Sequence, residues 1–96
     1  MAKYPIYLEL SGKRAVVIGS GTVALRKVQA LAESGARVVV IAIHFKSELE
    51  HAFNIDNVET IQSTYQKEYL TGATICIAAT NDRVLNERIF MDCQEL

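Results

Sequence analysis

Apolar positions along this chain fall into short continuous runs, separated by stretches in which they recur every three or four residues. Ala15-Val16-Val17-Ile18 follows Arg14 and stops at Gly19. A run of this kind bounded by glycine is the pattern of a strand covered on both faces, as in a parallel sheet. Arg37 to Ile43 and Thr74 to Ala79 read the same way, and Val58 to Gln62 is a shorter, more polar strand suited to a sheet edge. Ile6 to Leu10 alternates and ends at Ser11-Gly12-Lys13, which predicts a short strand leading into the next. Between the runs the period changes. Ala24, Val28, Leu31 and Ala32 make one stripe within Thr22–Ser34, with Arg26, Lys27, Gln29 and Glu33 on the other side and Gly35 as the stop. Ser47 to Phe53 predicts a short helix, and Gln66 to Leu70 a helical turn closed by Gly72. A last helix is capped by Asn81 or Asp82 and aligns Leu85, Ile89 and Cys93.

Strands alternating with helices imply βαβ units and a parallel sheet. Right-handed crossovers then give the strand order 3-2-1-4, an α/β, Rossmann-like sheet with flanking helices. The 96 residues suit one domain spanning the whole chain. A complete doubly wound sheet continues into further strands, so the expectation is a truncated, nucleotide-binding half.

The segment Gly19-Ser20-Gly21-Thr22-Val23-Ala24 is a G-x-G-x-x-A sequence between a predicted strand and a predicted helix. Gly19 permits the tight turn out of the strand, Gly21 lets a pyrophosphate approach the backbone, and Ala24 lets the helix pack closely. The helix start then offers unpaired N–H groups and a partial positive charge to an anion. An acid near the end of the second strand usually completes this motif by holding the adenosine ribose. Here that point reads Ile41-Ala42-Ile43-His44, with no acid before Glu48. Ribose contacts are therefore expected from the backbone around Ala42 and Ile43 or from His44, and His44 and Lys46 leave a 2′-phosphate open. His44 as a plain loop residue stays an equal alternative, and His51 is read as a surface residue. At the end of the fourth strand, Thr80, Asn81 and Asp82 are placed by the topology near the nicotinamide half of a cofactor, with small Ala78 and Ala79 leaving room.

Composition removes other classes. Half the residues are hydrophobic and 22% are charged, which is ordinary for a globular domain. Ten Lys+Arg against eleven Asp+Glu give a net charge of −1, which argues against an electrostatic grip on nucleic acid or an anionic membrane. The longest apolar run, Val38 to Ile43, is too short to span a bilayer. Met1 to Pro5 lacks the features of a signal peptide, so a reducing cytoplasm is expected. Cys76, Cys93, His44 and His51 match no disulfide or metal-ligand spacing. Cys76 and Cys93 are read as core, and Tyr65 and Tyr69 as simple packing.

Several of these segments together resemble a known family: Tyr4-Pro5-Ile6-Tyr7-Leu8-Glu9-Leu10 before Gly12-Lys13-Arg14, the glycine loop running into Leu25-Arg26-Lys27, Gly35-Ala36-Arg37-Val38, and Ala78-Ala79-Thr80-Asn81-Asp82 with Asn86. The chain is similar, over essentially its whole length, to NAD-dependent precorrin-2 dehydrogenase, found alone or as the N-terminal domain of siroheme synthase. The resemblance implies oxidation of precorrin-2 to sirohydrochlorin with NAD as hydride acceptor, ferrochelatase activity in many full-length members, and a homodimer. It implies contacts to NAD from Thr22 and Val23 and from Ile43 and His44, and the family also lacks the ribose carboxylate. Two departures stand out. Ile43 replaces a proline common in the family, and the stretch that carries the family's catalytic aspartate, like its dimerisation segment, has no counterpart in these residues. The expectation is therefore the NAD-binding part of such an enzyme, with no catalytic residue assigned. Two other readings are a non-catalytic NAD(P)-sensing regulatory module, against which the missing acid counts, and an interaction domain with an unused glycine turn.

Overall fold

Residue alternation decides how the buried strands are used. In the computed structural model, which describes residues 5–96, strands β1 (Arg14–Ile18), β2 (Arg37–Ala42), β3 (Val58–Gln62) and β4 (Ile75–Ala78) form one sheet. All three pairings are parallel and the order is β3-β2-β1-β4. Successive side chains point to opposite faces of a strand. Ala15, Val17, Val38 and Val40 therefore enter one core and Val16, Ile18, Val39 and Ile41 the other. Helix α1 (Thr22–Glu33) covers the first face with Ala24, Leu25, Val28 and Leu31, beside Phe53. Helix α3 (Arg83–Glu95) and the 3₁₀ turn Lys67–Leu70 cover the second through Ile89 and Leu70, with Leu85 and Cys93 packed alongside. Each fully buried aliphatic side chain contributes about 2 kcal/mol, and Val16, Val17, Val38, Val40 and Ile41 of the two central strands are among the largest of these.

The glycine at the end of α1 stops it by backbone geometry. Gly35 has φ +83°. Its N–H bonds to the carbonyl of Ala32 at 3.0 Å, and that of Ala36 bonds to Leu31 at 3.2 Å. This pair of bonds terminates a helix only when the residue after the cap is left-handed.

Several expectations change in detail. Ile6–Leu10 forms no strand. Extended alternation becomes a strand only beside a partner, and both sides of β1 are taken by β2 and β4. Only Leu10 is buried there, while Tyr7 is 99% exposed. Tyr4 lies outside the described residues. Ser47–Phe53 splits into α2 (Ser47–Glu50) and a 3₁₀ turn, His51–Phe53. The fourth strand, expected to be buried, is half-buried along its length because it stands at the sheet edge with one neighbour. Among the described residues no helix is long and apolar enough to cross a membrane.

Candidate functional site

In a parallel sheet every strand ends on the same side, and the loops that follow meet there. The ladder runs one residue beyond three strands: Gly19 N–H to Ile41 O at 2.9 Å, Ala79 N–H to Ile18 O at 2.8 Å, and Ser63 N–H to Ala42 O at 2.9 Å. Past these bonds the chains separate around a cleft of about 620 Å³. Gly19, Ser20, Gly21, Thr22 and Val23 line it from the loop after β1. Ala42, Ile43 and His44 line it from the end of β2, and Thr80 and Asn81 from the loop after β4. The residues expected from the sequence to contact the cofactor thus border one space.

The two loop glycines have different physical reasons. Gly19 has φ +131°, and a Cβ there would come within 2.8 Å of the Ala79 carbonyl carbon. The loop after β1 therefore packs backbone to backbone against the end of β4. Gly21 is extended at the N-cap of α1, and a Cβ on it would meet nothing within 4 Å. The space beside Gly21 is open, as an approaching ligand requires. No side chain caps α1, and its first internal bond runs from Leu25 N–H to Gly21 O at 2.9 Å. The N–H groups of the first turn, at Thr22 and Val23, are thus left without a side-chain acceptor beside the cleft, where they and the helix dipole favour an anion. Ala24 is fully buried, which is the close helix–sheet contact expected of a small residue.

The loop after β2 is tied down by its carbonyls. Ser20 Oγ donates to His44 O at 2.5 Å, and Gln62 Nε2 donates to Ile43 O at 3.1 Å. The first bond locks the glycine loop to the β2 exit. His44 and Ile43 are exposed, and Lys46 also borders the cleft, whereas Asp82, on the β4 side, is the only carboxylate among its lining residues.

The loop after β4 is organised by α3. Asp82 caps the helix, its Oδ1 accepting from Leu85 N–H at 3.1 Å. Asn86 reaches back to Thr80 with both ends of its carboxamide.

Sequence reasoning missed Ser63 and Tyr65, which also line the cleft. The signal was the parallel register, which pairs Ala42 with Gln62 and so delivers the chain after Gln62 to the same end as the glycine loop. Tyr65 OH donates to Asp92 Oδ2 at 2.6 Å, and the Arg88 guanidinium stands 5.9 Å from the ring centroid. Burial first, and then the Asp92 carboxylate, hold the phenol well above its ordinary pKa. Cys76 and Cys93 pack on the second core and are both free thiols. Burial, followed by the neighbouring Cys93, pushes the Cys76 thiol up to about 12. Exposed His51 lies outside the cleft. It borders a second concavity of about 790 Å³ beside β3, which shares only His44 with the first and has neither a glycine loop nor a helix start. No group of three potential metal ligands occurs among the described residues.

Residues 6–96 match a protein family described as "Putative NAD(P)-binding". The chain belongs to this family. Its relatives include siroheme synthases. The one from Photorhabdus laumondii is 38% identical over 91 residues, covering 95% of this chain and 19% of that protein. The one from Ectopseudomonas mendocina is 39% identical over 90 residues, covering 94% and 19% respectively. Among solved structures, SirC, a precorrin-2 dehydrogenase, superposes with a TM-score of 0.80 at 25% identity, over 92% of this chain and 44% of that one. The chain therefore spans about a fifth of the length of these siroheme synthases. The Rossmann-like arrangement of this NAD(P)-binding family member is shared with the dehydrogenase.

Proposed function

We propose that this chain is a single domain forming the NAD-binding part of a precorrin-2 dehydrogenase of siroheme biosynthesis, the enzyme that converts precorrin-2 and NAD⁺ to sirohydrochlorin and NADH. The observation that carries the reading is the open space beside Gly21 next to the uncapped start of α1. It is combined with similarity to siroheme synthases and to a precorrin-2 dehydrogenase.

The cleft fits a dinucleotide. A pyrophosphate placed against Gly21 meets the first-turn amides of α1, with no side chain in the way. Ala42, Ile43 and His44 would hold the adenosine half, and Thr80 and Asn81 would border the nicotinamide half. The bound dinucleotide supplies a hydride acceptor. The residues of this chain bind and orient it, and the apolar ends of β1 and β2 wall the cleft with Ile18 and Ile41. Holding the acceptor in a fixed pose removes much of the entropic part of the barrier. No side chain of this chain is assigned as the proton acceptor.

In this reading the protein works in the cytoplasm as a homodimer on a tetrapyrrole substrate, and any ferrochelatase activity belongs to a longer protein. Calorimetric titration with NAD⁺, with NADP⁺ as the control, tests the cofactor assignment. Saturable binding with preference for NAD⁺ is expected. No heat from a chain shown by circular dichroism to be folded overturns it.

A further inference from the structure

The turn after β4 depends on one side chain from the following helix. Asn86 Oδ1 accepts from Thr80 N–H at 3.3 Å and from Thr80 Oγ1 at 2.5 Å, while Asn86 Nδ2 donates to Thr80 O at 3.1 Å. Thr80 Oγ1 in turn accepts from Asp82 N–H at 3.1 Å. Every polar atom of Thr80 is thus engaged inside the protein. Asn81 lies between these two held residues, is exposed and borders the cleft. The hydrogen bonds of the turn pass it by.

Only a carboxamide at this distance can make the clamp. It needs an acceptor and a donor on one short planar group, matched to the N–H and C=O of a single residue. Aspartate keeps the acceptor but loses the donor and sets a charge against the Thr80 carbonyl. Alanine loses all three bonds.

We propose that Asn86 is a positioning residue, whose carboxamide holds the Thr80–Asp82 turn so that Asn81 faces the nicotinamide end of the cleft. The proposal rests on the dinucleotide reading above and deepens it. Asn86 acts through Thr80 and Asn81 and touches no ligand itself. The phosphate loop and the β2 exit are held by other bonds, Ser20 to His44 among them, so losing the clamp acts on one half of the ligand only.

The test compares two probes, NAD⁺ and ADP-ribose, which lacks the nicotinamide, on the wild-type chain and on Asn86→Ala and Asn86→Asp. Alanine is a better helix former than asparagine, and the Asp82 cap stays in place, so the variants are expected to keep the wild-type circular dichroism spectrum. Wild type is expected to bind NAD⁺ more tightly than ADP-ribose. Either variant is expected to weaken NAD⁺ about tenfold while ADP-ribose changes by less than about twofold. Asn86→Gln, one methylene too long, is expected not to restore NAD⁺. Equal weakening of both probes makes Asn86 a general structural residue and overturns the proposal. Unchanged NAD⁺ affinity also overturns it, as does a wild type that binds the two probes equally, although both results leave the dinucleotide reading standing. A folded wild type that binds neither probe overturns that reading and the proposal with it.

Discussion

Gly19 and Ala79 meet backbone to backbone where β1 and β4 end, so closely that a Cβ on Gly19 would come within 2.8 Å of the Ala79 carbonyl carbon. The contact draws the glycine loop and the β4 exit to the two sides of the same cleft. Gly19→Ala adds that collision to a φ of +131°, which an L side chain rarely adopts. A loss of about 3 kcal/mol is expected, combining backbone strain with overpacking, and urea unfolding followed by circular dichroism measures it. Gly21→Ala is the contrasting case. Nothing stands within 4 Å of its added methyl, so stability changes by less than about 1 kcal/mol, whereas NAD⁺ binding falls because the methyl occupies the path to the helix start. Equal stability losses in the two variants contradict this division of roles.

Asp82 carries the N-terminus of α3 through its bond to Leu85 N–H. Asp82→Ala is expected to cost about 1 kcal/mol, and Asp82→Asn or Asp82→Ser much less, because each retains a side-chain acceptor. Thermal unfolding of the three variants ranks them. An alanine variant as stable as wild type removes the cap from the account.

Asn57 joins the end of α1 to the start of β2. Its Nδ2 donates to Ala32 O at 3.0 Å and to Ala36 O at 2.7 Å. Asn57→Ala leaves two carbonyls at the helix stop without these donors. A loss of about 1–2 kcal/mol is expected, together with faster hydrogen exchange of the Gly35 and Ala36 amides, which close the helix. Exchange that accelerates only elsewhere speaks against the clamp.

Cys76 gives a dependence on high pH. Its folded pKa is raised from 9.0 to about 12, chiefly by burial. Below pH 9 the thiol is protonated in both states and adds no pH dependence. Above it the unfolded chain loses the proton first, the native state binds more protons, and stability falls as pH rises toward 12. Tyr65, also raised, acts in the same direction above its ordinary value. Denaturation midpoints between pH 8 and pH 11 should decline more steeply in wild type than in Cys76→Ala. In the native chain at pH 8, alkylation of Cys76 should be slow until denaturant is added. Fast labelling of folded protein contradicts the burial argument.

Local chemistry alone determined much of this protein. Short continuous runs rich in β-branched residues, the first ended by Gly19 and the second preceded by Gly35, suit strands with two covered faces better than helices, so β1, β2 and the order of elements were legible in the residues. The G-x-G-x-x-A spacing was legible too, because each small residue answers a backbone requirement inside a segment of six residues. Tertiary structure decided what depends on partners. Ile6–Leu10 has the alternation of a strand but no open neighbour beside β1. Tyr65 carries the spacing of a packed helical face, yet the register of β3 brings it to the cleft, where Asp92, 27 positions later, fixes its hydroxyl. The hold of Ser20 on His44 spans 24 residues and appears in no local pattern. Even the clamp of Asn86 on Thr80, only six residues apart, depends on the angle at which α3 leaves the sheet. Periodicity encodes which face of an element is apolar. Which atoms then meet across elements is set by packing, because a hydrogen bond needs its partners within a few tenths of an ångström and sequence spacing does not carry that precision.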